Sequence, residues 1–194
     1  SLIIGTSSTR RVATLKHHFP NVKPTESRGN LQTRIQKMKD GACDALILAY
    51  AGMHRMGYEE LIAEYLPLDI FTPAVGQGSL AIEAHTSLDP ILTQLIREAV
   101  NDRETEQLIK GERAYLRVLE GGCSIPAFAL ASVSKTDHIT LTAGIYSLNG
   151  KTLVKKSITG LCSDSELLGH SLANEILADG GAALLKEIRS ELNK

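Results

Sequence analysis

Three times within residues 1–55 a short apolar run leads into a glycine- or serine-rich turn and then into a basic, helix-like stretch. Leu2–Ile4 runs into Gly5-Thr6-Ser7-Ser8-Thr9-Arg10-Arg11 and a helix to about His18. Val22–Thr25 runs into Glu26-Ser27-Arg28-Gly29-Asn30 and a helix over Leu31–Lys39. Asp44–Ala49 runs into Ala51-Gly52-Met53-His54-Arg55. Strand alternating with helix at this spacing predicts βα units on a parallel sheet. Gly41 stands where a helix C-cap is needed. The spacing is too irregular for a solenoid.

The pattern then changes. Residues 58–66 read as a short helix, Pro67 and Pro73 interrupt, and Ala74–Glu83 reads as a turn followed by a strand. Helices are predicted over 88–100 and 102–119, the second with Leu108, Ile109, Leu116 and Leu119 near helical spacing and ended by Gly121-Gly122. Beyond Cys123, the runs Ala127–Val133, Ile139–Tyr146 and Thr152–Thr159 are strand-like, and Asn149-Gly150 between the last two is a hairpin signal. Ser163, with Glu166 three residues on, reads as a capping box opening a helix to about Ala178. Gly180-Gly181 break it before a last helix over Ala182–Leu192. The fold class is α/β plus α+β: a parallel-sheet lobe followed by a small C-terminal domain with a three-stranded antiparallel sheet covered by helices.

Arg10, Arg11, Arg28, Arg34 and Arg55 all lie in or just after the βα turns. In a parallel sheet those turns share the C-terminal edge, where ligands bind and helix N-termini offer free N–H groups. Thr6, Ser7 and Ser8 add hydroxyls at the first turn. Guanidiniums gathered at one edge repel one another without an anion, and arginine grips carboxylates in two-point fashion. The pattern points to a polycarboxylate or polyphosphate ligand; any single one of these arginines could equally be a solvated surface residue. The chain as a whole carries a net charge of −1, which gives no bulk attraction to nucleic acid or to a membrane. Its apolar runs fall far short of the ~20 residues that span a bilayer.

The 3 cysteines form no CxxC pair. That argues against a zinc site or a disulfide framework and for reduced thiols in a cytoplasmic protein. The histidines show no metal-ligand spacing, and no metal is expected. Cys123 lies between Gly121-Gly122 and Ser124-Ile125-Pro126, on a loop from helix to strand. A loop thiol can be reactive or inert, and the residues alone leave both open. Cys43 and Cys162 read as small apolar residues.

Taken in order, Gly5-Thr6-Ser7-Ser8-x-Arg10-Arg11, Ser27-Arg28-Gly29-Asn30 with Thr33-Arg34, and Leu48-Ala49-x-Ala51-Gly52 with Arg55 are followed by Pro73-Ala74-Val75-Gly76-Gln77-Gly78. Glu112-Arg113-Ala114 and Leu119-Glu120-Gly121-Gly122-Cys123-x-Ile125-Pro126 complete the series. The series resembles the successive signatures of the porphobilinogen deaminase family over residues 1 to about 130. The resemblance implies three domains, the first two like the lobes of a type II periplasmic binding protein with the site in the cleft. It implies a transferase of tetrapyrrole (haem) biosynthesis that joins four porphobilinogens into hydroxymethylbilane, releasing ammonia at each step. It also implies a dipyrromethane cofactor held by a thioether to Cys123. Arg10, Arg11, Arg28, Arg34 and Arg55 would bind acetate and propionate groups, with Thr6, Ser8, Asn30 and Gln77 as polar contacts. Each pyrrole carries two carboxylates, so the growing oligomer is a polyanion suited to a basic cleft, and a carboxylate must protonate the leaving amine.

By the resemblance, residues 1–72 are domain two, 73–100 a returning segment of an otherwise missing domain one, and 101–194 a linker helix and the C-terminal domain carrying the cysteine. The catalytic aspartate of domain one would precede Ser1, so no catalytic residue is expected within the chain, and the chain alone is expected to be inactive. Partners are porphobilinogen and linear pyrrole oligomers, in a full enzyme that is a monomer; an orphaned domain-one segment would expose apolar surface and favour self-association. The competing reading is a non-enzymatic, type II periplasmic-like binding protein for a small carboxylate or phosphate, which explains the arginine-bearing turns but not the Gly-Gly-Cys loop.

Overall fold

The computed structural model describes residues 1–120, 122 and 124–193. Strands β1 (Ile3–Gly5), β2 (Lys23–Thr25) and β3 (Ala45–Leu46) form a parallel sheet in the order β2-β1-β3. Helices α1 (Thr9–His18), α2 (Leu31–Lys39) and α3 (Tyr50–Arg55) follow them in alternation. The turns supply the caps. The Ser8 side chain accepts from the Arg11 amide at the start of α1, and Asn30 accepts from the Thr33 amide at 2.8 Å at the start of α2. Gly41, at φ 86°, closes α2 in the left-handed conformation. Ala13, Thr14 and Leu15 bury one face of α1.

Past α3 the chain is more irregular than its sequence predicts. The helix over 58–66 is only a 3₁₀ turn at Glu59–Leu61, with Leu61 and Tyr65 exposed. So short a helix with no face to bury does not hold in water. The strand predicted before Glu83 is absent too, and Leu80 is 87% exposed. Among the described residues no neighbouring strand lies there to take its backbone hydrogen bonds. Helix α4 (Pro90–Val100), capped by Asp89, buries none of its residues. Helix α5 (Arg103–Val118) starts on Asp102, whose carboxylate accepts from the Thr105 amide at 2.7 Å.

Strands β4 (Ala127–Lys135), β5 (His138–Tyr146) and β6 (Leu153–Leu161) form an antiparallel meander. Ile139, Leu141, Ala143 and Ile145 alternate along β5 and are fully buried, the two-residue period of a one-sided sheet. Leu141, Ala143 and Ile145 meet Tyr115 and Leu119 near the end of α5, Leu172 and Ile176 of α6 (Ser165–Ile176) and Ile188 of α7 (Ala182–Leu192). The buried Tyr115 hydroxyl donates to the Gly144 carbonyl at 2.8 Å. Helices α5 and α6 cross in close contact: a Cβ added at Gly169 would stand 2.2 Å from the Gly111 carbonyl oxygen. The chain turns from α6 to α7 at Gly180, φ 99°. The capping box predicted at Ser163 does not form. A 3₁₀ turn over Cys162–Asp164 precedes α6, and Glu166 pairs instead with Arg117 of α5 at 3.0 Å.

Gly150 of the predicted hairpin has φ 73°, and it also lies against α1, where an added Cβ would come within 2.6 Å of Lys16 Cβ. The His17 Nδ1–H donates to the Gly150 carbonyl at 2.7 Å, and His18 Nε2 lies 3.1 Å from the Tyr146 hydroxyl. Ala13, Phe128 and Tyr146 are buried together between the lobe and the antiparallel sheet. Among the described residues no helix is long and apolar enough to cross a membrane.

Candidate functional site

The arginines predicted at the sheet edge divide into two groups. Arg10 is buried, 7% exposed. Its Nη1 donates to the Thr72 carbonyl at 2.6 Å and its Nη2 to Gln77 Oε1 at 3.3 Å. Arg11 is half-buried, and its Nη1 donates to the carbonyl of Ile47, next after β3, at 2.8 Å. Arg34, one turn into α2, is half-buried and donates from Nε to the Gly29 carbonyl at 2.8 Å. These three bond only to neutral oxygens, and among the described residues none of them pairs with a carboxylate. Arg28 and Arg55 are exposed; Arg28 pairs with Glu26 at 2.6 Å, outside the buried group.

The charges strain one another. Burial, then the neighbouring charge of Arg11, lowers the Arg10 pKa from 12.5 to about 10. Burial, then Arg34, lowers that of Arg11. Arg10 and Arg11 remain cationic near neutral pH, but a buried charge beside a like charge and without a counter-ion is costly, and an anion placed there relieves both the burial and the repulsion.

The polar residues named with them are structural as well. The Thr6 hydroxyl, buried at the end of β1, accepts from the Ser8 amide at 3.3 Å. Ser8 and Asn30 cap α1 and α2, so their oxygens serve the helices, while the Asn30 amide NH₂ and the Ser8 O–H remain able to donate. Gln77 Oε1 takes Arg10 on one side and the Ala74 amide, at 3.4 Å, on the other, leaving its NH₂ as a donor beside Arg10. The structure therefore brings Arg10, Arg11, Arg34, Thr6, Ser8 and Gln77 around the start of α1, with Asn30 at the neighbouring turn.

Cys123 lies outside the described residues. The approach to it is tied down: Arg189 of α7 donates to the Leu119 carbonyl at 3.0 Å and to Glu120 at 3.2 Å. Cys43 is buried under the parallel sheet and Cys162 half-buried beyond β6. Among the described residues no cluster of His, Cys, Asp or Glu is placed to hold a metal ion.

One residue has a larger place here than its motif gave it. Glu112 of α5 is buried, accepting from the Gly76 amide at 2.7 Å and the Ala131 amide at 2.9 Å. Burial raises its pKa, and the two amides oppose the rise. The signal was readable: a glutamate among Gly111, Ala114 and Tyr115 on the buried face of a helix must find partners for its carboxylate.

The family described as porphobilinogen deaminase, dipyromethane cofactor binding domain, matches residues 1–93, and that described as porphobilinogen deaminase, C-terminal domain, matches residues 107–178. A porphobilinogen deaminase of Cytophaga hutchinsonii is 54% identical over 193 residues, 100% of this chain and 62% of the relative. One of Desulfosudis oleivorans is 47% identical over 97% of this chain and 60% of its own length, and one of Geobacter sulfurreducens 43% identical over 95% and 57%. The chain spans about three-fifths of the length of these relatives.

Proposed function

The chain belongs to the porphobilinogen deaminase family, and on that premise we propose that it supplies the anion-gripping and cofactor-carrying parts of an enzyme of tetrapyrrole (haem) biosynthesis. That enzyme polymerises four porphobilinogens into hydroxymethylbilane and releases ammonia. The observation that carries the reading is the arginine group, buried Arg10 with half-buried Arg11 and Arg34, held by neutral oxygens alone.

Dipyrromethane fits this donor set. Its carboxylates are planar anions, and the three guanidiniums are planar donors that lack one. When bound, through a thioether to Cys123, it supplies the primer on which the pyrrole chain is extended. Arg10, Arg11 and Arg34 hold acetate and propionate groups, with Arg28 and Arg55 at the exposed rim. Burial of Arg10 keeps water from the contact and strengthens it. The Gln77 amide, the Thr6 and Ser8 hydroxyls and the Asn30 amide orient the same groups by donating hydrogen bonds. Glu26 is paired with Arg28, and Glu112 is engaged by two backbone amides. We assign the protonation of the leaving amine to no residue of this chain.

We read residues 1–72 as one lobe of a cleft of the type II periplasmic-binding-protein kind, 73–100 as a segment belonging to the facing lobe, and 101–194 as the unit that presents Cys123. The enzyme is placed in the cytoplasm and works as a monomer on porphobilinogen and linear pyrrole oligomers. The competing reading, a binding protein for a small carboxylate or phosphate, uses the same arginines but is not favoured by the family matches. Intact-mass measurement of the full-length gene product, with peptide mapping, separates the two. A mass excess matching dipyrromethane on the Cys123 peptide is expected. An unmodified Cys123 in active, full-length protein overturns the assignment of the cofactor.

A further inference from the structure

The loop over residues 72–79 is held from two sides. From the parallel-sheet lobe, Arg10 grips the Thr72 carbonyl and Gln77. From the C-terminal unit, Glu112 accepts the Gly76 amide through one oxygen and the Ala131 amide of β4 through the other. Val75 of the same loop packs against the C-terminal core. Gly76 adopts φ 69°, so the loop turns where its amide meets the carboxylate. Among the described residues no cation pairs with Glu112, which leaves the two amides as its partners. A buried carboxylate with no charge partner is an expensive way to hold a loop if holding it serves only the fold. It does something an apolar side chain cannot: it takes two amides from different segments at fixed distances.

We infer that Glu112 is a positioning residue, which fixes Gly76, and so the adjacent Gln77, at the Arg10 guanidinium, and couples that setting to α5, whose end leads through Leu119 and Glu120 into the Gly-Gly-Cys segment. The inference rests on the proposed activity, because what is positioned is the carboxylate grip of Arg10 and Gln77. Its direct consequence is structural and can be read without turnover. In the unaltered protein the Gly76 amide, although in a loop, is protected from hydrogen exchange like an amide of a helix core.

The experiment uses the full-length enzyme and three readouts. Amide exchange of residues 73–79 is measured in the unaltered protein and in Glu112→Gln and Glu112→Asp. Steady-state rates with porphobilinogen are measured for the same proteins, and cofactor loading is checked by intact mass. Glutamine keeps the shape but offers one acceptor oxygen, so one of the two amides loses its partner. The expected result for Glu112→Gln is at least tenfold faster exchange at 73–79. Porphobilinogen KM rises about tenfold while kcat falls less, and Glu112→Asp lies between. Fast exchange at Gly76 in the unaltered protein overturns the inference outright, whether or not Glu112→Gln folds. So does a folded, cofactor-loaded Glu112→Gln with unchanged KM, or one in which kcat alone falls. If the unaltered enzyme makes no tetrapyrrole, the proposed activity fails instead, and the Gly76 exchange still reports whether Glu112 holds the loop.

Discussion

At Ser27, directly before Arg28, a hydroxyl is buried with no hydrogen-bond partner. Its Cβ lies beside Gly5, where an added Cβ would meet it at 3.2 Å, with Leu46 and Cys43 closing the same space. A buried hydroxyl without a partner loses its hydration and gains nothing, so removing it relieves about 1 kcal/mol or more. Ser27→Ala is therefore expected to stabilise the protein by about that amount, read as a higher midpoint in urea with an unchanged slope. A lower midpoint shows that Ser27 makes a bond of its own. The arginines in or just after the βα turns were legible because the βα spacing alone puts them at one edge. That Arg10 is buried on Gln77 was not, since 67 residues separate the two and no local periodicity reports a contact of that span.

Helix α1 packs against the C-terminal sheet at the junction with the lobe, and its last turn makes that junction sensitive to acid. His18 has its pKa lowered from 6.5 by desolvation first, then by His17 and Lys155, with Asp69 acting weakly the other way. The His17 ring lies edge-on at 4.7 Å, and the Tyr146 hydroxyl can donate to Nε2 while His18 is neutral. Lys155 also reaches across to the Asp69 carbonyl at 2.5 Å. Because the folded protein holds the His18 proton less tightly than the unfolded chain, the unfolded chain takes up more protons as pH falls through 6.5. Stability present above that pH is then partly lost below it. His18 is largely exposed, so salt and solvent keep the effect small. Between about pH 7.5 and about pH 5.5 the melting temperature is expected to fall further in the wild type than in His18→Gln. Equal falls remove His18 from the account. Element types were well marked in the sequence wherever a face is buried: the period-2 run of β5, the glycine stops of α2 and α6, the Asn149-Gly150 turn. They were misread over 58–66 and in the strand expected within 74–83, where apolar residues suggested order but the chain finds no surface to bury them on.

For the whole molecule the unsettled surface is α4. Ile91 is 71% exposed, and Leu92, Leu95 and Val100 are each at least half exposed. The helix is tied to the rest by Arg97 and Asn101, which both reach Glu106 of α5, at 2.9 and 2.8 Å. Those bonds fix one end of α4 and leave its apolar face in water. The amphipathic pattern of residues 90–100 was plain in the sequence, but a pattern names the face that needs covering and not what covers it. A contiguous apolar face of this kind is buried when it can be, and a net charge of −1 offers little repulsion to stop two copies meeting. The chain of 194 residues on its own is expected to self-associate through this face. Its sedimentation coefficient would then rise with concentration over the micromolar range, and Leu95→Lys would return it to the monomer value. Leu95 is 55% exposed, so the substitution is expected to leave the fold intact. A chain that stays monomeric at every concentration, or a Leu95→Lys variant that associates like the parent, places the contact elsewhere and leaves α4 stable in water on its caps and its tie to Glu106 alone.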